Sequence, residues 1–272
     1  MQYLAFFFLL LMPLCFSQSV TAETLLRLTL PKAGSLEPDT TSRFYEEALH
    51  LALTKTSDGL EQIQLDHHTI AVNRERARLL VKQGVLDIVW GSSNKKREEE
   101  LIPVKFSLIR GINEYRLLLI RAADQPLFDE VKTAVDLQKF KIGTGTQWSD
   151  TEIYRFNGLP LVTSYAYKPM FRMLKLKRFD YMARGLQEVE SDLRNYGHLD
   201  LAVEKNLAIH YPQPIYFFVN DSGLAERIQQ GLELAQQDGS LDALFFSIPN
   251  FRDAWERLQK IERHLIELKV PK

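Results

Sequence analysis

The chain is predicted to be an α/β protein built as two units. Its first hundred residues read strand, helix, strand, helix, strand, the order that lays helices over a sheet. Leu86–Trp90 (LDIVW) and Tyr115–Arg121 (YRLLLIR) are near-continuous apolar runs, which suit strands buried on both faces. The alternation then begins again with no low-complexity linker and no internal repeat, so two lobes joined by crossing segments are expected.

Each element has a local reason. Thr24–Leu30 alternates as a strand and stops at Pro31. Asp39 or Thr41 can cap a helix over 43–54, with Phe44, Ala48 and Leu51 on one face. Glu61–Leu65 is a short strand. Asn73 caps a helix that turns Ala77, Leu80 and Val81 inward and ends at Gly84. After Trp90 comes a polar loop, Gly91–Asn94, and then KKREEE, which reads as a solvated helical turn. Pro103 keeps 101–109 extended. In the second unit a helix is expected over 129–140, a strand at 161–164, a helix over 168–177 and a strand at 179–183. A helix from Gly185 to Asn195 and a strand at 199–204 follow. Tyr211-Pro212-Gln213-Pro214 marks a change of unit. It is followed by the strand IYFFV (215–219), a helix from Ser222 to Asp238-Gly239, a short helix at 241–246, and a last helix turning Trp255, Leu258, Ile261 and Leu265 inward.

The sequence has 272 residues, a formal net charge of −1 and one cysteine. Residues 1–22 are uncharged, with an apolar stretch over 4–12 and a small-residue site ending at Ala22, so a cleaved signal peptide is expected. Cleavage there leaves 250 residues (272 less 22) without cysteine, because Cys15 departs with the leader. Thiol catalysis, Fe–S clusters and zinc–cysteine sites are thereby excluded from the mature chain. The balanced charge argues against nucleic acid as a partner.

Lys141–Gly158 (KIGTGTQWSDTEIYRFNG) concentrates the functional signal. A strand end leads into Gly143-Thr144-Gly145-Thr146, and Ser149 and Glu152 have capping-box spacing, so a helix should start near Asp150. Backbone N–H groups collected at such a point attract anions. An ordinary strand-to-helix turn has the same sequence. Nucleotide fingerprints do not fit, because a third glycine is replaced by Trp148 and no Gly-Lys-Ser/Thr is present. His67-His68 is the only histidine cluster and reads as a loop or edge. No nucleophile, base and orienting group assemble anywhere in the sequence.

Four segments together resemble a known family. LDIVWGSSNKKREEELIPVKFS, KIGTGTQWSDTEI, LKLKRFDYMARGLQEV and GLAERIQQGLELAQQDGSLDALF resemble, in order and spacing, the segments of periplasmic solute-binding proteins of family 3, the amino-acid-type binding proteins of ABC transporters. The resemblance covers nearly the whole mature chain. It implies the two-lobe, type II periplasmic-binding-protein fold with a ligand cleft between lobes. Residues 23–110 and 212–272 would form lobe 1 and 111–211 lobe 2, with crossings near 109–115 and 204–212. Two departures bear on the ligand. The span from Gly91 to Arg97 is one residue shorter than the family's Gly-x-Thr-x-Thr-x-x-Arg form, so Arg97 is not counted among the contacts. Where the family places an Asp for the ligand's amino group, this chain has Arg184-Gly185. Arg184 either binds an anionic group or pairs with Glu188.

The expected ligand contacts are Trp90, Ser92, Ser93 and Arg116, with Tyr45 a weaker candidate, on one side and Thr144, Thr146, Trp148 and Arg184 on the other. The resemblance implies a periplasmic, monomeric, non-enzymatic protein without cofactor. It would close on an amino acid or related carboxylate and deliver it to an ABC permease, or report it to a sensory receptor. Exported dehydratases share the fold, and Glu188 is the only nearby acid or base for that alternative.

Overall fold

A computed structural model describes residues 24–32 and 39–271. The expected signal segment, 1–22, lies outside the described residues. The first unit opens with β1 (Thr24–Leu30) parallel to β2 (Glu61–His67), connected through α1 (Asp39–Lys55). Helix α1 starts at Asp39, so Thr41 lies inside it rather than capping it. Next come α2 (Arg74–Lys82), β3 (Ile88–Ser92), α3 (Lys95–Glu100) and β4 (Ile102–Val104). The Asn73 side chain does cap α2, accepting from Arg76 N at 2.9 Å. Asp87 ties β1 to the start of β3: its carboxylate accepts Thr29 N at 2.6 Å and its own N–H donates to Thr29 O at 2.9 Å.

The second unit is one mixed sheet around β5 (Tyr115–Arg121). Helices α4 (Gln125–Phe128) and α5 (Ala134–Leu137) follow β5. The single helix expected over 129–140 is therefore two short ones, and Thr133 restarts the second with a capping box to Asp136. Then come β6 (Ile142–Gly145), α6 (Asp150–Phe156), β7 (Leu161–Ser164), α7 (Tyr167–Lys175), β8 (Tyr181–Gly185), α8 (Val189–Tyr196), β9 (Leu201–Val203) and β10 (Leu207–His210). Strand β5 is antiparallel to β8 on one edge and to β9 and β10 on the other, while β6 lies parallel between β8 and β7. Its side chains alternate as a pleat demands. Leu118 and Ile120 pack with Phe128, Ile142, Tyr181 and Ile209, and Leu119 packs on the other face with Phe171, Leu174 and Met182. The strand expected over 199–204 breaks at Glu204, whose fully buried carboxylate accepts Asn206 N at 2.9 Å and Leu207 N at 2.5 Å. That turn permits the new strand β10, which the sequence reading had placed in a crossing.

The chain returns to the first unit as β11 (Ile215–Val219), antiparallel to both β3 and β4, and continues through α9 (Ser222–Gln237), α10 (Ser240–Ser247) and α11 (Pro249–Gln259). The last helix stops at Gln259, and Leu265 lies instead in β12 (His264–Glu267), parallel to β10. Within 212–272, expected as the second segment of the first lobe, β12 pairs with the second sheet at its edge. Asn157 secures this tail, donating to Lys269 O at 2.7 Å and accepting Lys269 N at 3.0 Å. Among the described residues no helix is long and apolar enough to cross a membrane.

Helices α1 and α9 cross at Gly231, where an added Cβ would lie 1.9 Å from Ala52 O. A backbone atom cannot swing aside, so Gly231→Ala must push the helices apart. Urea unfolding is expected to show a loss of about 1–3 kcal/mol, the usual cost of overpacking a core. An unchanged midpoint would show that the helices do not pack this closely.

Candidate functional site

A recess with a volume of ≈ 660 Å³ lies between the two units. Helix α2 and the start of α3 form one wall, and the 146–155 segment of the second unit forms the other. Asn94 starts α3 by accepting Arg97 N at 3.0 Å, which fixes the Arg97 backbone one turn from β3. The Arg97 guanidinium folds back and donates to Ser92 O. It is 9% exposed and lines the recess. Among the described residues it has no carboxylate partner. Burial, then the neighbouring Arg78 and Arg74, pull it down to about 10, against a smaller opposing influence from Asp150 and Glu152. Arg78, half-buried on α2, is also lowered, first by burial. Two desolvated cations in this condition make a receptive site for an anion, which favours the charged form of both.

On the facing wall the Thr146 hydroxyl is buried without a hydrogen-bond partner among the described residues. Its N–H donates to Ser164 O at 2.9 Å, so the backbone is fixed while the side chain is unsatisfied. Trp148 covers Gly145 so closely that a Cβ there would lie 2.3 Å from the indole nitrogen. Helix α6 lacks the expected capping box. Ser149 adopts φ −58°, makes no cap hydrogen bond, and instead accepts Gln213 Nε2 at 3.1 Å.

Beneath this wall lies a buried polar network. Arg116 Nε donates to Asp150 at 3.2 Å, its Nη2 to Gln213 Oε1 at 2.6 Å, and its Nη1 to Asn113 O. Asn113 Nδ2 donates to Gln213 O at 3.0 Å, and Gln187 Nε2 donates to Asn113 Oδ1 at 3.2 Å. Burial opposes ionisation of Asp150, but Arg116 outweighs it and holds the carboxyl below its ordinary range. A second buried arginine, Arg184, is similarly satisfied. Its Nε donates to Asp192 at 2.6 Å, Nη1 lies 3.3 Å from Glu188, and Nη2 donates to Tyr167 Oη at 3.1 Å. The Trp148 and Tyr167 rings each lie 5.1 Å from the guanidinium carbon, within cation–π range.

The eight expected contacts therefore separate. Thr146 and Trp148 line the recess. Arg184 contacts Trp148 and pairs with Glu188 and, more closely, with Asp192. Arg116 belongs to the buried network, and the Thr144 hydroxyl lies 2.9 Å from that of Thr151, which donates to Gly145 O. Ser92 contributes its carbonyl to Arg97, and the Ser93 hydroxyl donates to Glu98. Trp90 is 3% exposed in β3, stacked on Tyr45 at 5.3 Å within the first core. Arg97 and Arg78 also line the recess and were not among the expected contacts. Arg97 was set aside by counting loop residues, yet Asn94 three residues before it is a legible cap. Arg78 follows Ala77 on a helix read only for its apolar face.

The buried pair has a pH signature. A carboxyl lowered in the folded state contributes stability above its unfolded value and loses it as pH falls through the folded value. Asp150→Asn leaves Arg116 buried without its anion and should cost about 3–5 kcal/mol at neutral pH. That difference should shrink on acidification, as Asp150 of the parent protein becomes protonated. A gap that stays constant from neutral to acid pH would show that Asp150 is not ionised in the folded state.

No protein-family model matches the sequence. No curated protein matches it either. Solved structures do match in fold. An ancestral arginine-binding protein bound to arginine aligns at 14% identity and a TM-score of 0.59, over 82% of this chain and 98% of that one. The substrate-binding protein of an amino acid ABC transporter aligns at 12% identity and a TM-score of 0.56, over 82% and 99%. An ancestral amino-acid-binding protein, a precursor of cyclohexadienyl dehydratase, aligns at 14% identity and a TM-score of 0.57, over 82% and 94%. The chain thus has the mixed α/β, two-lobe fold of periplasmic amino-acid-binding proteins, reached by a sequence far from theirs.

Proposed function

We propose that this protein is an exported binding protein that closes its two units over a small carboxylate-bearing solute and presents it to an ABC permease. One observation carries the reading: Arg97, buried in the wall of an interlobe recess, faces the unsatisfied Thr146 hydroxyl and Trp148 with no carboxylate of its own among the described residues. Leaving such groups unmatched is costly, and a bound anion satisfies them. The recess has the size of a small-molecule site. Binding across it favours the closed arrangement by differential contact with both walls. Trp148 supplies the apolar side of the contact, stiffened by Arg184.

Glu188 gives the dehydratase alternative little support. Its carboxylate accepts Gly185 N at 3.0 Å and lies 3.3 Å from Arg184. Burial pushes it up, but Arg184 and Arg116 outweigh that and leave it below the ordinary range. A carboxyl lowered in this way is a poor proton donor, and its pairing with Arg184 makes it a weak base.

Thermal melts with amino acids and small organic acids test the proposal. A ligand present at one hundred times its dissociation constant adds about 2.7 kcal/mol, so the melting temperature should rise by several degrees. Arg97→Met should remove the response while folding normally. An unaltered response in that variant would place the ligand elsewhere.

A further inference from the structure

Resting on the solute-binding reading, we infer that the cleft selects a solute bearing at least two negative charges, such as a dicarboxylate or a phosphorylated carboxylic acid, with Arg97 and Arg78 each taking one anionic group. The distribution of charge carries this. Among the described residues that line the recess, cationic side chains outnumber carboxylates six to three, and the three carboxylates, Glu75, Glu100 and Glu152, are all exposed. The buried charge facing the recess is Arg97, and half-buried Arg78 stands close enough to depress it. Neither makes an ion pair among the described residues. One monoanion compensates one of these guanidiniums and leaves the other repelled. A second anionic group compensates both, with the planar, charge-assisted hydrogen bonds that guanidinium offers to carboxylate and phosphate.

The same distribution disfavours an ammonium group. A zwitterionic amino acid needs a carboxylate shielded from water to hold its amine. The buried carboxylates below the second wall are already neutralised: Asp150 by Arg116, and Asp192 by Arg184, which also holds Glu188. Among the described residues an amine in the recess would meet only exposed glutamates, whose attraction water screens, beside an excess of cations. Arg78 is thus the specificity-determining residue, and Arg97 the common anchor.

Isothermal titration of the purified protein against matched probes tests this. One set is glutarate, butyrate and L-glutamine, and another is 3-phosphoglycerate and glycerate, within a panel of mono-, di- and tricarboxylates and the standard amino acids. The tightest dianionic probe should bind at least tenfold more tightly than its monoanionic or zwitterionic counterpart. Arg78→Met should erase that preference while leaving monoanion affinity nearly intact, and Arg97→Met should weaken every probe. Arg78 makes no hydrogen bond or ion pair among the described residues, so its replacement should leave the melting temperature of the free protein close to that of the parent. A monoanion or amino acid that binds as tightly as the best dianion would overturn the inference and leave solute binding intact. An equal loss for mono- and dianions in Arg78→Met would do the same. Failure of every probe to bind would overturn both.

Discussion

The ion pair between Arg116 and Asp150 is the constraint on which the rest of the structure depends. A buried guanidinium and a buried carboxylate are each expensive alone and tolerable only together, with their remaining hydrogen bonds made. Here those bonds reach Gln213 and Asn113, which lie on the two segments joining the units. The pair therefore fixes the start of α6, the origin of the central strand β5 and the geometry of both crossings at once. Ser149 is drawn away from capping α6 because Gln213 claims its hydroxyl. The wall that carries Thr146 and Trp148 is thus held from behind by charge, with the apolar cores on either side.

The same logic separates supporting arginines from the one proposed to bind. Arg116, Arg121 and Arg184 are all buried and all have acidic partners: Asp150 for the first, Asp124 and Asp180 for the second, Asp192 and Glu188 for the third. Arg97 is equally buried and has none among the described residues. A cation that is desolvated, held by one backbone carbonyl and crowded by two further arginines is maintained against its own electrostatics. Such perturbed groups in a cleft mark functional sites more often than structural ones. The rest of the fold supplies what that arginine needs: a capped first turn that aims it and a facing wall with an unsatisfied hydroxyl.

Much of the architecture was legible in the sequence because its signals are local. The apolar run YRLLLIR could only be a strand buried on both faces, and Asn73 and Gly84 bracket α2. What was not legible depends on long-range pairing. Strand β12 borrows its register from β10, and without that partner HLIE reads as the end of a helix. The break at Glu204 exists because its side chain replaces backbone partners, which no periodicity reveals. Thr146 and Trp148, singled out from the glycine-rich turn after a strand, do line the recess, although an ordinary strand-to-helix turn has the same sequence. Arg184 was found as a group of interest, and the choice between ligand and ion pair rested on Asp192, eight residues away on α8. Loop length did not place Arg97 at the recess, because the Asn94 cap and the bond to Ser92 O set the position of the guanidinium.

The most direct test of the central claim, that the two units close over an anion held by Arg97, is a distance across the recess. Cysteines introduced at the exposed Gln83 and Phe156, one on each side, carry a donor and an acceptor dye in a protein made as residues 23–272, which otherwise contain no cysteine. Saturation with a carboxylate that titrates in calorimetry should raise energy transfer in the parent protein and leave it unchanged in Arg97→Met. A ligand that binds with full stoichiometry and does not change the distance, or that closes the Arg97→Met protein equally well, would contradict the account.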